Sequence, residues 1–111
     1  MTIRNLIDRL NLKSLSTFDD REVNGVVVSD MLSDVMAGAK SGNLWLTVQT
    51  HKSIVPAANL VDVAAVVVTS GKSVPEETVE LASKYKVAIL SSDLPTFELV
   101  GKLYGLGLGS S

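Results

Sequence analysis

The sequence predicts a single α/β domain with a mostly parallel sheet that is covered by helices. Valine-rich runs of strand length are separated by segments whose apolar residues recur at helical spacing. This alternation favours parallel strands that are joined by crossover helices. The 111 residues are 46% hydrophobic but only 5% aromatic, and such an aliphatic composition suits a sheet buried on both faces.

The first helix is predicted in TIRNLIDRLNL, where the apolar residues share one side and Thr2 is placed to cap the N-terminus. The remaining elements, in chain order, are an edge strand in SLSTFDD, a strand in VNGVVVSD, a helix in MLSDVMAGA, a strand in NLWLTVQ, a helix in IVPAANLVD, a strand in AAVVVTSG, a helix in SVPEETVELASKYK, a strand in VAILSSD and a helix in LPTFELVGKLYG. The domain is expected to span residues 1–107, and residues 108–111 to form a flexible tail.

Some side chains have specific predicted roles at the helices. Ser29 or Asp30 is expected to cap the second helix, and Ser73 and Glu76 have the spacing of a capping box. The inner stripe of the last helix is assigned to three apolar residues, Phe97, Val100 and Tyr104.

Trp45 is the only tryptophan of the chain. On its strand it shares a face with Thr47 and Gln49 rather than with the leucines. Two interpretations follow with equal weight: a helix half-covers the indole, or the indole anchors a subunit interface.

Composition and charge exclude several function classes. The chain has no cysteine, which removes thiol nucleophiles, disulfides and cysteine-based metal sites. The net charge of −2 and the scattered basic residues argue against nucleic acid as a partner. The charged N-terminal segment has neither the apolar core of a signal peptide nor a membrane span, so a cytoplasmic protein is expected. The acidic residues show no metal-ligand spacing, and neither a metal nor a cofactor is predicted.

The stretch VVVTSGKS resembles the end of a phosphate-binding loop but lacks its first glycine. That motif needs a glycine five residues before Gly71, and the residue there is Val66, inside a predicted strand. Glu76 and Glu77 also place carboxylates in the first turn of the following helix, where they repel a phosphate. The stretch is therefore interpreted as a turn between a strand and a helix, and kinase activity is not expected.

His51 is the only histidine, and it lies in a predicted turn after a strand. As a general base it would need an orienting carboxylate, for which Asp30 and Asp93 are the candidates. The alternative, which we favour, is a polar loop histidine that hydrogen-bonds a neighbouring turn.

A ligand site, if the fold carries one, is expected beyond the carboxyl ends of the strands, where open α/β sheets bind their ligands. All of these ends are small or polar, although the same residues also suit helix caps. The candidate ligand-binding residues are Ser29, Asp30, Gln49, Thr50, His51, Thr69, Ser70, Gly71, Ser92 and Asp93.

The succession VNGVVVSD, GNLWLTVQTHKSI, AAVVVTSG and VAILSSDLPTFELVGKLY resembles the DRTGG domain, which is related to the N-terminal domain of HPr kinase/phosphorylase. The family's Thr-Gly-Gly is similar to residues 69–71, with Ser70 in the middle position. Its Asp-Arg pair falls at about His51 and Lys52, so both residues are replaced. The segments around WLTVQTHKSIVPAANL and FELVGKLYGLGL resemble small stand-alone members associated with iron-hydrogenase gene clusters.

The resemblance implies a non-catalytic regulatory or interaction module that supports a redox or signalling assembly. It also implies a homodimer or other homo-oligomer and a hydrogenase or signalling protein as partner. A variant of this hypothesis is a sensor that binds a small ligand at the strand ends. The alternative class is a small enzyme with His51 as acid/base and a hydroxyl of Thr69 or Ser92 nearby.

Overall fold

The computed structural model describes residues 1–110, which form a five-stranded sheet with helices on both faces. The helices are α1 (Ile3–Leu10), α2 (Leu32–Gly38), α3 (Ile54–Val61), α4 (Glu76–Lys84) and α5 (Thr96–Gly105). The strands are β1 (Lys13–Ser14), β2 (Gly25–Val28), β3 (Asn43–Thr47), β4 (Ala65–Val68) and β5 (Ile89–Ser91). The predicted α/β class and the predicted order of strands and helices are confirmed.

The strands are ordered β1-β5-β4-β3-β2, and β2 to β5 are mutually parallel. β1 is a short edge strand, as predicted, and it runs antiparallel to β5. It ends at Ser14, the first residue of SLSTFDD, rather than continuing through that segment. Beyond β1 the Ser16 hydroxyl donates to the Val87 carbonyl (2.7 Å) and accepts from the Ile89 N–H (2.8 Å). A side chain thus continues the pairing that the backbone of β1 begins.

Two apolar layers bury the sheet. On one face α1 and α5 contribute Ile3 and Leu99 to a core that includes Leu44 and Leu46 of β3. On the other face α2, α3 and α4 pack around Trp45. The alternation of Leu44, Trp45 and Leu46 between the two layers follows from the period of a strand.

Trp45 is fully buried, with no exposed surface. Its Nε1–H donates to the backbone carbonyl of Ser29 at 2.8 Å, so the polar end of the indole is satisfied inside the domain. The interpretation of Trp45 as an interface anchor is therefore wrong, because the helices on its face cover it completely rather than by half.

The inner stripe of α5 differs from the prediction at Phe97 and Tyr104, whereas Val100 packs against the core as predicted. Leu99 and Leu103 are buried, whereas Phe97 and Tyr104 are 88% and 75% exposed. The rotation of the helix is set at its first residue, because the Thr96 hydroxyl hydrogen-bonds the Thr69 hydroxyl at 2.6 Å. Residues three and seven positions after Thr96 then face the sheet, and the aromatic residues point to solvent.

The predicted caps of α2 and α4 are wrong, whereas the Thr2 cap of α1 is confirmed by its hydrogen bond from the Asn5 N–H. α2 begins after Met31, and the Ser29 hydroxyl accepts only from the Met31 N–H. α4 begins after Pro75, which is its N-cap residue, and Ser73 makes no capping bond. Proline disfavours helical geometry in the residue before it, so Ser73 and Val74 stay outside the helix.

Both ends of the described chain lie against the segment that leads into β2. The Val23 N–H donates to the Met1 carbonyl (2.9 Å), and the Val26 N–H donates to the Gly109 carbonyl (2.8 Å). Leu108 packs against the core. The flexibility of residues 108–111 stays a prediction, and Ser111 lies outside the described residues. Within residues 1–110, no helix has the length and apolar character needed to cross a membrane.

Candidate functional site

The carboxyl ends of β2 to β5 meet at one edge of the sheet, since these strands are parallel. All ten candidate ligand-binding residues follow these strands, and we call them the strand-end surface. Its residues are Ser29, Asp30, Gln49, Thr50, His51, Thr69, Ser70, Gly71, Ser92 and Asp93. The hydrogen bonds of these residues divide the surface into two halves.

In the half formed by β2 and β3, Asp30 joins the two strand ends. Its Oδ1 accepts from the Thr47 hydroxyl (2.8 Å) and from the Val48 N–H (2.9 Å). The Gln49 side-chain amide donates to the Asp30 carbonyl at 3.1 Å. Polar groups of this half are therefore engaged with one another, and one carboxylate oxygen already holds two donors.

In the half formed by β4 and β5, the two loops are joined by backbone hydrogen bonds. The Ser70 N–H donates to the Leu94 carbonyl (2.8 Å), and the Gly71 N–H donates to the Ser92 carbonyl (2.9 Å). Ser70 and Gly71 both have left-handed backbones, with φ of 63° and 64°. Such a conformation suits glycine and is uncommon for serine, so the turn holds a specific shape.

Ser92 and Thr69 are the buried hydroxyl residues of this half, at 5% and 0% exposure. The Ser92 hydroxyl accepts from the Leu94 N–H at 3.1 Å. Thr69 is bound to Thr96, as described above. These hydroxyls fix the loop between β5 and α5 to the end of β4.

The turn VVVTSGKS is not a phosphate-binding loop in the structure. Val66 is paired in the middle of β4, where the motif would need a glycine. The N–H groups of Ser70 and Gly71 are already bound to carbonyls, so they cannot surround a phosphate. Glu76 and Glu77 occupy the first turn of α4, as predicted.

His51 and Lys52 lie on the flank of the strand-end surface, beside the start of α4. The His51 Nδ1 accepts from the Ser53 N–H (3.1 Å) and lies 3.0 Å from the Ser53 hydroxyl. Neither Asp30 nor Asp93 is a hydrogen-bond partner of His51. His51 is thus a polar loop histidine, as we favoured, but it bonds its own turn rather than a neighbouring one.

The loop that carries His51 is anchored to α4 by two contacts. The Thr78 hydroxyl donates to the Thr50 carbonyl at 2.8 Å. Lys52 forms an exposed ion pair with Glu77 at 2.8 Å. Their hydrogen bond lowers the pKa of the Glu77 carboxyl and raises the pKa of the Lys52 ammonium from their ordinary values. Lys52 is thus held by the neighbouring helix.

Two grooves flank the end of β5 and include residues that the sequence analysis missed. The α1–α5 groove, of about 310 Å³, is lined by Arg9, Asn11, Ser92, Asp93 and Lys102, with Leu10 and Leu94. The β1–α4 groove, of about 390 Å³, is lined by Lys13, Lys72, Ser73, Glu76 and Ser91, with Leu15, Val74 and Val79. The basic residues come from separate segments of the chain, so no motif could have indicated that they meet. Among residues 1–110, no three His, Asp or Glu side chains gather in a way that could hold a metal ion.

The fold and this edge define an α/β module with a polar surface at the strand ends. The DRTGG domain family model matches residues 5–106, so the chain belongs to the DRTGG domain family. The family that the sequence resembles is thereby confirmed. No curated protein matches the chain in sequence.

A solved structure supports the fold. The chain is similar to the CBS and DRTGG domains of the regulatory region of Clostridium perfringens pyrophosphatase, which were crystallised with the activator diadenosine tetraphosphate. The identity is 19% and the TM-score is 0.71, over 96% of this chain and 47% of that one. The chain thus spans about half the length of this neighbour.

Proposed function

We propose that the chain is a non-catalytic regulatory module that senses a small ligand at the strand-end surface. The hydrogen-bonded pair of loops after β4 and β5 carries this proposal. Residues 69–71 and 92–94 form a turn of defined shape, and the two grooves adjoin it. A site that is held by the backbone before the ligand arrives loses little conformational freedom on binding.

The family and the neighbour support a regulatory role. The neighbour's domains belong to the regulatory region of an enzyme and were crystallised with an activator. In this chain His51 bonds its own turn rather than an orienting carboxylate, which supports binding over acid/base catalysis. Kinase activity is not part of the proposal, since Val66 occupies the position of the missing glycine.

A thermal-shift screen with nucleotides, phosphorylated metabolites and neutral metabolites tests the ligand. A compound at 100 times its Kd stabilises the folded state by about 2.7 kcal/mol, which raises the Tm of a domain of this size by roughly 10 °C. Gly71→Ala is expected to reduce that shift, because alanine is strained at this left-handed position and its methyl group would lie 3.6 Å from the Asp93 Oδ1.

The matched control is Gly107→Ala. Gly107 also has a positive φ, of 90°, but nothing lies within 4 Å of the added methyl group. Gly107→Ala should lower the Tm of the ligand-free protein about as much as Gly71→Ala does, and it should leave the Tm shift on ligand binding unchanged. A screen in which no compound raises the Tm would count against the sensor.

We further propose that the module is a homo-oligomer, a homodimer in the simplest case, that supports a redox or signalling assembly such as a hydrogenase. The exposed rings of Phe97 and Tyr104 support the homo-oligomer. They lie seven positions apart on one side of α5 and are 88% and 75% exposed. Two copies related by a twofold axis would cover both rings with the same surface. Co-purification from the native organism would identify the other partner.

Light scattering over a concentration series measures the oligomeric state. The natural sequence is expected to give the mass of a dimer, and the double variant Phe97→Glu/Tyr104→Glu the mass of a monomer, because carboxylates would be buried at the interface. Leu60→Glu is the control, since Leu60 is 71% exposed on α3. A monomer at every concentration would exclude the homo-oligomer.

A further inference from the structure

We propose that the end of β5 binds a compact polyanion of the oligophosphate class across the two grooves. The inference rests on the proposed function, since it assigns a ligand class to one half of the strand-end surface. It is carried by four basic side chains that the fold leaves without a partner and by the position of these side chains on either side of one strand end.

The chain has ten lysine and arginine residues, and most of them are engaged. Arg21, Lys52 and Lys86 form ion pairs. Arg4 and Lys84 lie over aromatic rings, and Lys40 also has a partner. The four remaining basic side chains have neither an ion pair nor a ring contact within residues 1–110: Arg9, Lys13, Lys72 and Lys102.

All four of these side chains line the grooves at the end of β5. Arg9 and Lys102 line the α1–α5 groove, whereas Lys13 and Lys72 line the β1–α4 groove. Lys13 is placed there by the register of the edge strand, because it pairs with Ser91. The arrangement therefore depends on the tertiary fold and not on one basic segment.

The two grooves adjoin at consecutive residues. Ser91 lines the β1–α4 groove and Ser92 the α1–α5 groove, as expected for neighbours that point to opposite faces of a strand. The Ser92 hydroxyl accepts from the Leu94 N–H, and its own proton has no acceptor among the described residues, so it can donate to an anion. A ligand with two anionic groups could place one group in each groove.

The local charge is opposite to that of the chain. The grooves contain four cations and the carboxylates of Glu76 and Asp93, which leaves an excess of two positive charges in a chain of net charge −2. Glu77, in the same first turn of α4 as Glu76, is paired with Lys52. Asp8 lies beside Arg9 on α1, and Glu98 lies one helical turn before Lys102 on α5, but neither forms an ion pair within residues 1–110. A groove lining with an excess of positive charge attracts an anion more strongly than an isolated cation does.

Isothermal titration of the full chain with inorganic tripolyphosphate at low salt tests the inference. We expect one tripolyphosphate per chain and an affinity that falls as salt is raised. The double variants Arg9→Gln/Lys102→Gln and Lys13→Gln/Lys72→Gln should each weaken binding by about tenfold or more, since each removes the charge-assisted hydrogen bonds of one groove.

The control is Lys40→Gln/Lys84→Gln, which removes the same charge elsewhere and should change the affinity by less than about twofold, because exposed charges at a distance are screened. Equal weakening in the control would reduce the effect to general electrostatics and overturn the inference, as would the absence of binding. If tripolyphosphate fails while an uncharged compound gives a shift that Gly71→Ala reduces, the polyanion is wrong and the sensor stands.

Discussion

Replacement of Trp45 by alanine is expected to lower the free energy of unfolding by about 3–5 kcal/mol. Trp45 is fully buried in the layer formed by α2, α3 and α4, and alanine would leave a cavity that the surrounding side chains cannot fill. A loss of this size is a large part of the roughly 5–15 kcal/mol that stabilises a typical domain. Urea denaturation followed by far-UV circular dichroism measures it, since the variant lacks the only tryptophan.

Trp45→Phe separates the hydrogen bond from the packing. Phenylalanine keeps much of the apolar contact but leaves the Ser29 carbonyl without the indole N–H, so a smaller loss of about 1–3 kcal/mol is expected. Tyr85→Ala is the control, because Tyr85 is 52% exposed and should change the free energy by less than about 1 kcal/mol. A Trp45→Ala protein as stable as the control would show that the indole is not buried as described.

Replacement of Asp30 by alanine is expected to cost about 2–3 kcal/mol of unfolding free energy, even though Asp30 lies at the surface. The change removes the acceptor of both the Thr47 hydroxyl and the Val48 N–H. Thr47 is only 1% exposed, so water cannot easily replace the carboxylate there. Chemical denaturation at neutral pH gives the difference.

Asp30→Asn keeps a carbonyl oxygen at the same position, so both hydrogen bonds can still form. The loss of unfolding free energy should be less than about 1 kcal/mol, which is the difference between neutral and charged hydrogen bonds. Asp8→Ala removes an exposed carboxylate on α1 and should stay within about 0.5 kcal/mol. If Asp30→Ala behaves like Asp8→Ala, Asp30 does not join β2 to β3. In that case its carboxylate would be free for a ligand.

The fold could be predicted because its signals are local. Valine-rich runs such as Val66 to Val68 become strands that are buried on both faces, and the helical spacing in the first segment indicates α1. The rotation of α5 could not be predicted in this way. It depends on the contact between Thr69 and Thr96, which are far apart in the chain, and the large apolar side chain of Phe97 is a misleading guide to the inner face.

The candidate site shows the same limit. The polar residues at the strand ends are visible in the sequence, because each directly follows an apolar run. The basic residues of the grooves could not be assigned to the site from the sequence, since each belongs to a different element or loop. They are Arg9, Lys13, Lys72 and Lys102. Asp30 looks like a helix cap because aspartate before a helix usually is one, but its carboxylate joins two strands instead.

The position of the chain ends has a consequence for larger proteins. The carbonyls of Met1 and Gly109 accept from the N–H groups of Val23 and Val26. Since these two nitrogen atoms are at most about 11 Å apart along an extended chain, the two carbonyl oxygens are at most about 17 Å apart. A domain whose ends are so close can be inserted into a surface loop of another protein without forcing that loop apart. The same module could therefore be placed between the halves of a host domain as readily as at its terminus.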